Sequence, residues 1–164
     1  MEIRAQPLDL SALEGVGILA TPTKGKVIED GAEFSFEFAV TDLGMPAGLC
    51  AGRLECSPRP MRLSKMERHL KTPELLSAVD ADAIIAVAPP QEPLNGRLTD
   101  VRAVIIRAGQ AIVLAVGTWH WIPYPLGDKS TRFLVVYRNA TADDDLEFCE
   151  LAEANDILFD GDTA

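Results

Sequence analysis

The 164-residue sequence predicts a mainly β domain whose strands form a closed barrel or a β-sandwich. Two observations support this prediction: the apolar stretches are short and separated by Gly and Pro residues, and helical signals are few. A chain of this length with 48% hydrophobic and 24% charged residues has the composition of one globular core. We therefore expect a single domain over residues 1–164.

Short segments rich in β-branched and long apolar residues predict eight strands. Two of these segments contain continuous apolar runs, Ile84–Ala88 and Ile112–Val116, which are typical of strands buried on both faces. The eight predicted strands are Val16–Ala20, Glu33–Val40, Leu49–Cys56, Met61–His69, Asp82–Ala88, Val101–Arg107, Gln110–Val116 and Thr131–Arg138.

The sequence predicts at most two short helices. Leu8–Glu14 offers Asp9 or Ser11 as a cap, and Thr72-Pro-Glu-Leu-Leu76 has the cap-then-proline pattern of a helix start. Gly109-Gln110 separates two apolar runs and predicts a tight hairpin connection. The acidic segment from Glu147 to Asp162 is expected to be a solvated surface segment.

The charge balance disfavours two classes of partner. Fifteen basic and 25 acidic residues give a net charge of −10, which repels phosphate backbones and anionic lipids. We therefore expect neither nucleic acid nor a membrane as a partner, and no apolar stretch approaches the ~18–20 residues of a membrane span. The N-terminal residues lack a secretory pattern, and Cys50, Cys56 and Cys149 have no CxxC spacing, so the sequence predicts a cytoplasmic protein.

One of the two histidines lies in a charged segment within a predicted strand. Because strand side chains alternate between faces, we expect Lys65, Glu67 and His69 on one face and Arg68 on the other. Two interpretations remain open at this point. The segment is either a solvent-facing edge strand or the lining of a polar cavity inside a barrel.

The other histidine, His120, follows a buried apolar run and is flanked by both tryptophans, Trp119 and Trp121, with Tyr124 close behind. Aromatic side chains at a strand end commonly wall a pocket. His120 is therefore either a site residue or a core histidine with its hydrogen bonds satisfied.

The spacing around both histidines resembles the two motifs of the cupin superfamily. Glu67-x-His69-x₄-Glu74 resembles HxH(x)₃₋₄E, with Glu in place of the first His. The second motif, G(x)₅PxG(x)₂H, is matched with Ala in place of Pro by Gly109, Ala115, Gly117 and His120. The resemblance implies a cupin-type jelly-roll, or double-stranded β-helix, barrel with one or two short helices. In that superfamily the matching side chains gather inside the barrel and often bind a divalent metal.

A closer resemblance covers nearly the whole chain and points to the ureidoglycolate lyase family. The segments that carry it are Gln6-Pro-Leu-Asp9, Gly15-Val-Gly17, Met66-Glu-Arg-His69, Gly109-Gln110, Gly117-Thr-Trp-His120, Phe133-Leu-Val-Val136 and Arg138. This resemblance implies a cupin enzyme that releases urea from ureidoglycolate and leaves glyoxylate, in purine and allantoin breakdown.

The sequence departs from the family pattern at several positions. Ser64 replaces a leading His, Val116 replaces an Arg, Trp121 replaces a second His, and Glu74 stands where a Gln is expected. These changes keep two alternatives open. One is a metal-dependent cupin enzyme of other specificity, and the other is a non-catalytic cupin that binds a small ligand.

The resemblance and the charge types together suggest roles for individual residues. We expect His69 and His120 to move protons and Glu67 to orient a histidine or act as a base. The residues expected to bind a small carboxylate substrate are Arg53, Lys65, Arg68, Trp119, Trp121 and Tyr124.

A lyase of this kind is expected to need no cofactor, whereas the alternative interpretation requires a metal. Glu67, His69, Glu74 and His120 would supply two nitrogen and two oxygen ligands, a set that suits Mn²⁺, Fe²⁺, Zn²⁺ or Ni²⁺. Jelly-roll cupins often pair through sheet edges, so a homodimer is expected as well.

Overall fold

The computed structural model describes residues 2–20, 26–30, 35–38, 44–46 and 48–160. Their regular secondary structure is almost all β, and the only helix among the described residues is the single turn α1 (Thr141–Asp144). The strands are β1 (Glu2–Pro7), β2 (Gly17–Leu19), β3 (Lys26–Asp30), β4 (Ser35–Phe38), β5 (Leu49–Cys56), β6 (Arg62–Arg68), β7 (Glu74–Ala78), β8 (Ala83–Ala88), β9 (Arg102–Ile106), β10 (Ala111–Leu114), β11 (Trp119–His120), β12 (Tyr124–Pro125), β13 (Thr131–Arg138) and β14 (Glu147–Leu158).

Six of the strands close into a ring. Their order is β11-β6-β14-β1-β9-β8, and β11 pairs with β8 to complete the circle, while β12 adds to β8. Five further strands form a second sheet in the order β2-β10-β7-β13-β5. β3 and β4 pair only with each other among the described strands. The prediction of a mainly β, closed barrel architecture is confirmed.

The two layers enclose two hydrophobic cores, and β8 contributes to both. Ala83, Ile85 and Val87 pack against the five-stranded sheet, whereas the alternate residues Ile84 and Ala86 point into the ring. All residues of β8 are buried, as the continuous apolar run predicted. The sheets therefore meet along β8 and β9, and the functional residues lie at one end of the layer between them.

Most predicted strands are present, with shifts of a few residues at their ends. Leu49–Cys56 and Thr131–Arg138 agree residue for residue. Of the predicted strand Glu33–Val40, only Ser35–Phe38 falls within the described residues.

The two predicted helices are wrong, for different physical reasons. Leu8–Glu14 forms turns, in which Asp9 accepts hydrogen bonds from the Ser11 hydroxyl and the Ala12 N–H without a helix following. Thr72–Leu76 leads into strand β7, because pairing with β10 and β13 on both sides outweighs the local cap signal.

One connection also differs from its prediction. The Gly109-Gln110 turn joins β9 of the ring to β10 of the second sheet, so it is not a hairpin.

Most of the acidic C-terminal segment forms β14, which pairs with β6 and β1 and buries Cys149 and Ile157. Its acidic side chains are exposed, as predicted for a solvated surface segment. None of the helices among the described residues is long and apolar enough to cross a membrane.

Adjacent residues of β13 test how the five-stranded sheet is stabilised. Phe133 is fully buried in the core between the layers, whereas Leu134 is 44% exposed on the outer face. We expect Phe133→Ala to lower the free energy of unfolding by about 3–5 kcal/mol because it leaves a cavity, and Leu134→Ala by less than about 1 kcal/mol. Urea denaturation followed by circular dichroism measures both values. Equal losses in the two variants would contradict the assigned orientation of β13.

Candidate active site

The site lies where the ring and the five-stranded sheet meet, and four side chains from three strands and one turn converge there. Glu67 lies in β6, directly opposite His120 of β11 in the strand register. His69 follows the last residue of β6, and Glu74 is the first residue of β7. A backbone hydrogen bond from the Gly117 N–H to the His69 carbonyl (2.7 Å) joins the two segments that carry the histidines.

Both histidines direct Nε2 at the same carboxylate oxygen. Glu74 Oε2 lies 2.9 Å from His120 Nε2 and 3.4 Å from His69 Nε2. Glu67 Oε1 is 3.9 Å from His120 Nε2, and the two imidazole centroids are 5.2 Å apart. His69, Glu74 and His120 are buried, whereas Glu67 is partly exposed. The edge-strand interpretation of the Glu67–His69 segment is wrong, because β6 pairs with β11 on one side and with β14 on the other. Its Glu67 and His69 instead face the buried Glu74 of the second sheet.

Backbone carbonyls determine which nitrogen of each ring carries a proton. His69 Nδ1 lies 2.7 Å from the Asp145 carbonyl oxygen, and His120 Nδ1 lies 3.0 Å from the Thr118 carbonyl oxygen. A carbonyl oxygen only accepts hydrogen bonds, so both Nδ1 atoms must be donors. In a neutral ring, Nε2 then presents a lone pair to Glu74, which is repulsive unless a proton or a metal ion lies between them.

Charge in this cluster changes the pKa values of its members. Burial disfavours the charge on Glu74, but the two adjacent histidines outweigh burial and lower its pKa to about 2. Burial likewise opposes protonation of His69, but the Glu74 carboxylate and the Asp145 carbonyl raise the pKa of that ring to about 8. The pKa of His120 is also raised, since Glu74 outweighs the effect of burial. The site therefore favours an ionised Glu74 with protons or cations around it.

The same donors are suited to a divalent metal ion. Ligand atoms of Glu67, His69 and His120 all lie within 4.8 Å of one another. Glu74 Oε2 is buried and has no aligned hydrogen-bond donor among the described residues, although both Nε2 atoms are within ion-pair distance. The separations of 2.9 and 3.4 Å from Glu74 Oε2 to the two Nε2 atoms, and of 3.9 Å from Glu67 Oε1 to His120 Nε2, resemble those around one ion with bonds of ~2.1 Å. The residues present thus fit a metal bound through two imidazoles and two carboxylates.

Lys65 lies two residues before Glu67 on the same face of β6, whereas Trp121 packs against the core of the ring. The Lys65 ammonium is 4.1 Å from the centre of the Phe148 ring and 5.7 Å from that of Trp121. It also lies 3.4 Å from the exposed carboxylate of Glu150. Phe148 pairs with Glu67 in the register of β14 and β6 and is 51% exposed. A half-exposed cation thus lies between two aromatic rings at the edge of the cluster.

Arg68 and Trp119 point to the other side of their strands. The Arg68 guanidinium is buried, bonds to Glu92, Glu147 and the Gln91 carbonyl, and lies 4.6 Å above the centre of the Trp119 ring. Trp119 belongs to the core of the ring. The structure therefore separates both side chains from the histidine cluster.

Tyr124 and Arg53 are likewise not brought to the cluster. Tyr124 is buried in the core of the ring, its hydroxyl donates to the Arg62 carbonyl, and Arg59 lies above its ring. Arg53 is exposed on the outer face of β5.

Sequence reasoning missed one residue that contacts the cluster and one core residue on a neighbouring strand. Asp145 contacts His69 through its carbonyl. Tyr137 packs against the core between the layers and belongs to β13, which pairs with β7. The alternation of Phe133, Val135 and Tyr137 would have placed Tyr137 inside. Asp145 gave no such signal, since it is the last of three consecutive acidic residues.

Two cavities lie outside this cluster. One, of about 560 Å³, is formed by residues 96–101 together with Leu151, Glu153 and Asn155 of β14. The other, of about 410 Å³, borders the site through Asp145. The remaining residues that line it are Leu70, Lys71, Asp143, Asp144, Leu146 and Glu147.

The raised pKa of His69 predicts how stability depends on pH. A folded-state pKa of about 8 against 6.5 means that this stabilisation is complete below pH 6.5 and is lost as the pH rises through 8. In protein treated with EDTA, we expect His69 to contribute a fall of at most about 2 kcal/mol in the free energy of unfolding between about pH 6 and 9, and His120, whose pKa is also raised, to add to this fall. Urea denaturation at each pH measures the total change. In His69→Gln the decrease should be smaller than in the wild type, and an undiminished decrease in that variant would contradict the assignment.

Comparison with known proteins supports the resemblance found in the sequence. The family model described as ureidoglycolate lyase matches residues 2–157. A curated ureidoglycolate lyase from Chelativorans sp. (strain BNC1) is 29% identical over 89 residues, which cover 54% of this chain and 52% of that protein. The aligned part thus spans about half the length of this relative.

Two solved structures are similar to part of the chain. Oxalate decarboxylase from Lactobacillus farciminis, in its formate complex, has a TM-score of 0.43 and 22% identity and matches 56% of this chain and 24% of that one. Oxalate oxidase in complex with the substrate analogue glycolate has a TM-score of 0.43 and 15% identity and matches 56% of this chain and 42% of that one. Because the family model covers nearly all of the sequence, the chain belongs to the ureidoglycolate lyase family.

Proposed function

We propose that this protein eliminates urea from ureidoglycolate, or acts in the same way on a closely related small carboxylate. One observation carries the proposal. Both histidines of the chain and two of its carboxylates form a single cluster. In it, each histidine Nε2 lies within 3.4 Å of Glu74 Oε2. Family membership supports the choice of reaction.

The reaction requires one base and one acid. The substrate is a carbinolamide, in which one carbon carries a hydroxyl, a carboxylate and the urea nitrogen. A base removes the hydroxyl proton as the C–N bond breaks, the oxygen forms the aldehyde of glyoxylate, and an acid protonates the departing nitrogen to give urea. Atoms and charge balance without an oxidant or a reductant.

The proposed proton carriers are His69 and His120, with Glu67 beside them. Imidazoles held near Glu74 have raised pKa values, so each can exist protonated close to neutral pH and donate to the leaving nitrogen. Glu67 is partly exposed and lies across the strand pair from His120, so a substrate can reach it. We assign the removal of the hydroxyl proton to Glu67 or to the histidine that is unprotonated at that moment.

We propose Lys65 as the group that attracts the substrate carboxylate. It lies on the same strand as Glu67, two residues away, and its only ion pair among the described residues is with an exposed carboxylate, which a substrate anion can displace. The rings of Trp121 and Phe148 each lie near the ammonium group. The roles of Arg53, Arg68, Trp119 and Tyr124 in substrate binding stay predictions.

A bound divalent metal is the second candidate feature of this site. Glu67, His69, Glu74 and His120 would hold Mn²⁺, Fe²⁺, Zn²⁺ or Ni²⁺, and the orphaned Glu74 oxygen favours this. Such an ion would act as a Lewis acid on a coordinated oxygen.

Two alternative functions follow from the departures from the family pattern, in which Ser64, Val116 and Trp121 replace family residues. The first alternative is a metal-dependent enzyme that acts on another substrate. The second is a protein that binds small carboxylates without catalysing a reaction.

We also propose that the protein is a cytoplasmic homodimer. All three cysteines are free thiols, which suits a reducing compartment. Strand β5 is the last strand of the five-stranded sheet among the described residues, so its outer edge is available to pair with a second copy.

Urea release tests the proposed reaction. We expect His120→Ala and Glu67→Gln each to lower kcat by at least about 100-fold, because each removes a proton carrier or its partner. Glu55→Gln, on the outer face of β5, serves as the matched control and should match the wild type. Equal urea release by the wild type and His120→Ala would remove His120 from the mechanism, and no release by the wild type would reject the proposed reaction.

Elemental analysis distinguishes a metal-dependent enzyme from a metal-free one. Protein produced without a histidine tag should contain about one divalent ion per chain if the four donors bind a metal, and Glu74→Gln should contain much less. A metal content below roughly 0.1 ion per chain in the wild type would exclude a metal-dependent function.

A further inference from the structure

Asp145 lies between α1 and β14 and makes three contacts with the segment that carries His69. Its Oδ1 accepts the Leu70 N–H at 2.7 Å, and its Oδ2 accepts the Lys71 N–H at 2.9 Å. Its backbone carbonyl accepts the His69 Nδ1–H at 2.7 Å. One residue therefore fixes both the chain that follows β6 and the ring of the histidine.

The carboxylate of Asp145 accepts hydrogen bonds from backbone N–H groups and does not pair with a charged side chain of the described residues. The residue is buried, with 6% of its surface exposed, and forms no ion pair among the described residues. The adjacent Asp144 is bound instead by Lys71 and Arg138. Hydrogen bonds from two consecutive N–H groups to an ionised carboxylate are stronger than neutral ones and hold the Asp145 main chain in place.

The two histidines differ in how their Nδ1 acceptor is supplied. For His120 the acceptor is the Thr118 carbonyl, two residues away in the same segment. For His69 it is the carbonyl of a residue 76 positions later in the chain. Only His69 therefore depends on a distant residue for the direction of its ring, and a ring rotated about its own bond would no longer direct Nε2 at Glu74.

We propose that Asp145 is a positioning residue of the site: its carboxylate clamps residues 70 and 71, and its carbonyl holds His69 with the proton on Nδ1 and Nε2 toward Glu74. The structural part of this proposal is independent of the reaction. Its consequence for catalysis rests on the proposed function, since it assumes that His69 moves a proton or binds the ion that acts on the substrate.

The chain contains only two histidines, which makes a direct test possible. In protein labelled with ¹⁵N-histidine, long-range ¹H–¹⁵N spectra at a pH where the rings are neutral report which nitrogen of each ring carries the proton. His120→Gln assigns the two rings. The variants are Asp145→Ala, which removes both carboxylate contacts, and Asp145→Asn, which retains the shape and one acceptor. Asp143→Ala, an exposed neighbour in α1, is the matched control.

We expect wild-type protein to show the Nδ1–H form for both rings. In Asp145→Ala the His69 signals should become a mixture of forms while those of His120 stay unchanged, with Asp145→Asn intermediate and Asp143→Ala like the wild type. Urea release should show kcat lowered by about 10- to 100-fold in Asp145→Ala with KM changed less.

Unchanged His69 signals in a folded Asp145→Ala variant would overturn the proposal. If that variant does not fold, unchanged signals in Asp145→Asn would overturn it equally. Because the spectra do not depend on turnover, a wild type that releases no urea would reject the proposed reaction without affecting this outcome. Altered His69 signals with kcat unchanged would overturn the catalytic consequence of the proposal.

Discussion

The interaction between the buried Glu74 carboxylate and the two imidazoles is the constraint on which the site depends. A carboxylate removed from water is strongly destabilised unless positive charge compensates it. Here the compensation comes from the two imidazole rings. Because the Nδ1 atom of each ring donates a hydrogen bond to a backbone carbonyl, Nε2 is the nitrogen that faces Glu74. The cluster is therefore neutralised by protons or by a metal ion, and in both cases it gathers the reactive groups at one point.

The fold provides this arrangement by packing the six-stranded ring against the five-stranded sheet. Glu74 belongs to the five-stranded sheet, whereas Glu67 and His120 pair across two strands of the ring. Gly117 donates its N–H to His69 while in a left-handed conformation, and a Cβ there would approach Pro90 to 3.3 Å. The motif glycine is thus explained by backbone geometry, which positions the segment that delivers His120.

Sequence patterns predicted the strands with continuous apolar runs and the residues at motif spacing, because both depend on local periodicity. The strand β7 was not predicted, since its five residues follow the Thr72-Pro73 pair, which resembles a helix start, and are stabilised by pairing with β10 and β13. Strand alternation correctly separates Arg68 from Glu67, and the same rule separates Trp119 from His120. Grouping the aromatic residues with His120 ignored this alternation. Asp145 was beyond sequence reasoning, because its contacts with His69, Leu70 and Lys71 are long-range.

The most direct test of the central claim is an NMR titration of both histidine rings in metal-free wild-type protein and in Glu74→Gln. If Glu74 holds the rings charged, the wild-type pKa of His69 should be about 8 and that of His120 above 6.5. In Glu74→Gln both pKa values should fall, because burial opposes protonation of each ring and the carboxylate that outweighs burial is gone. Histidine pKa values that are the same in the two proteins would contradict the account.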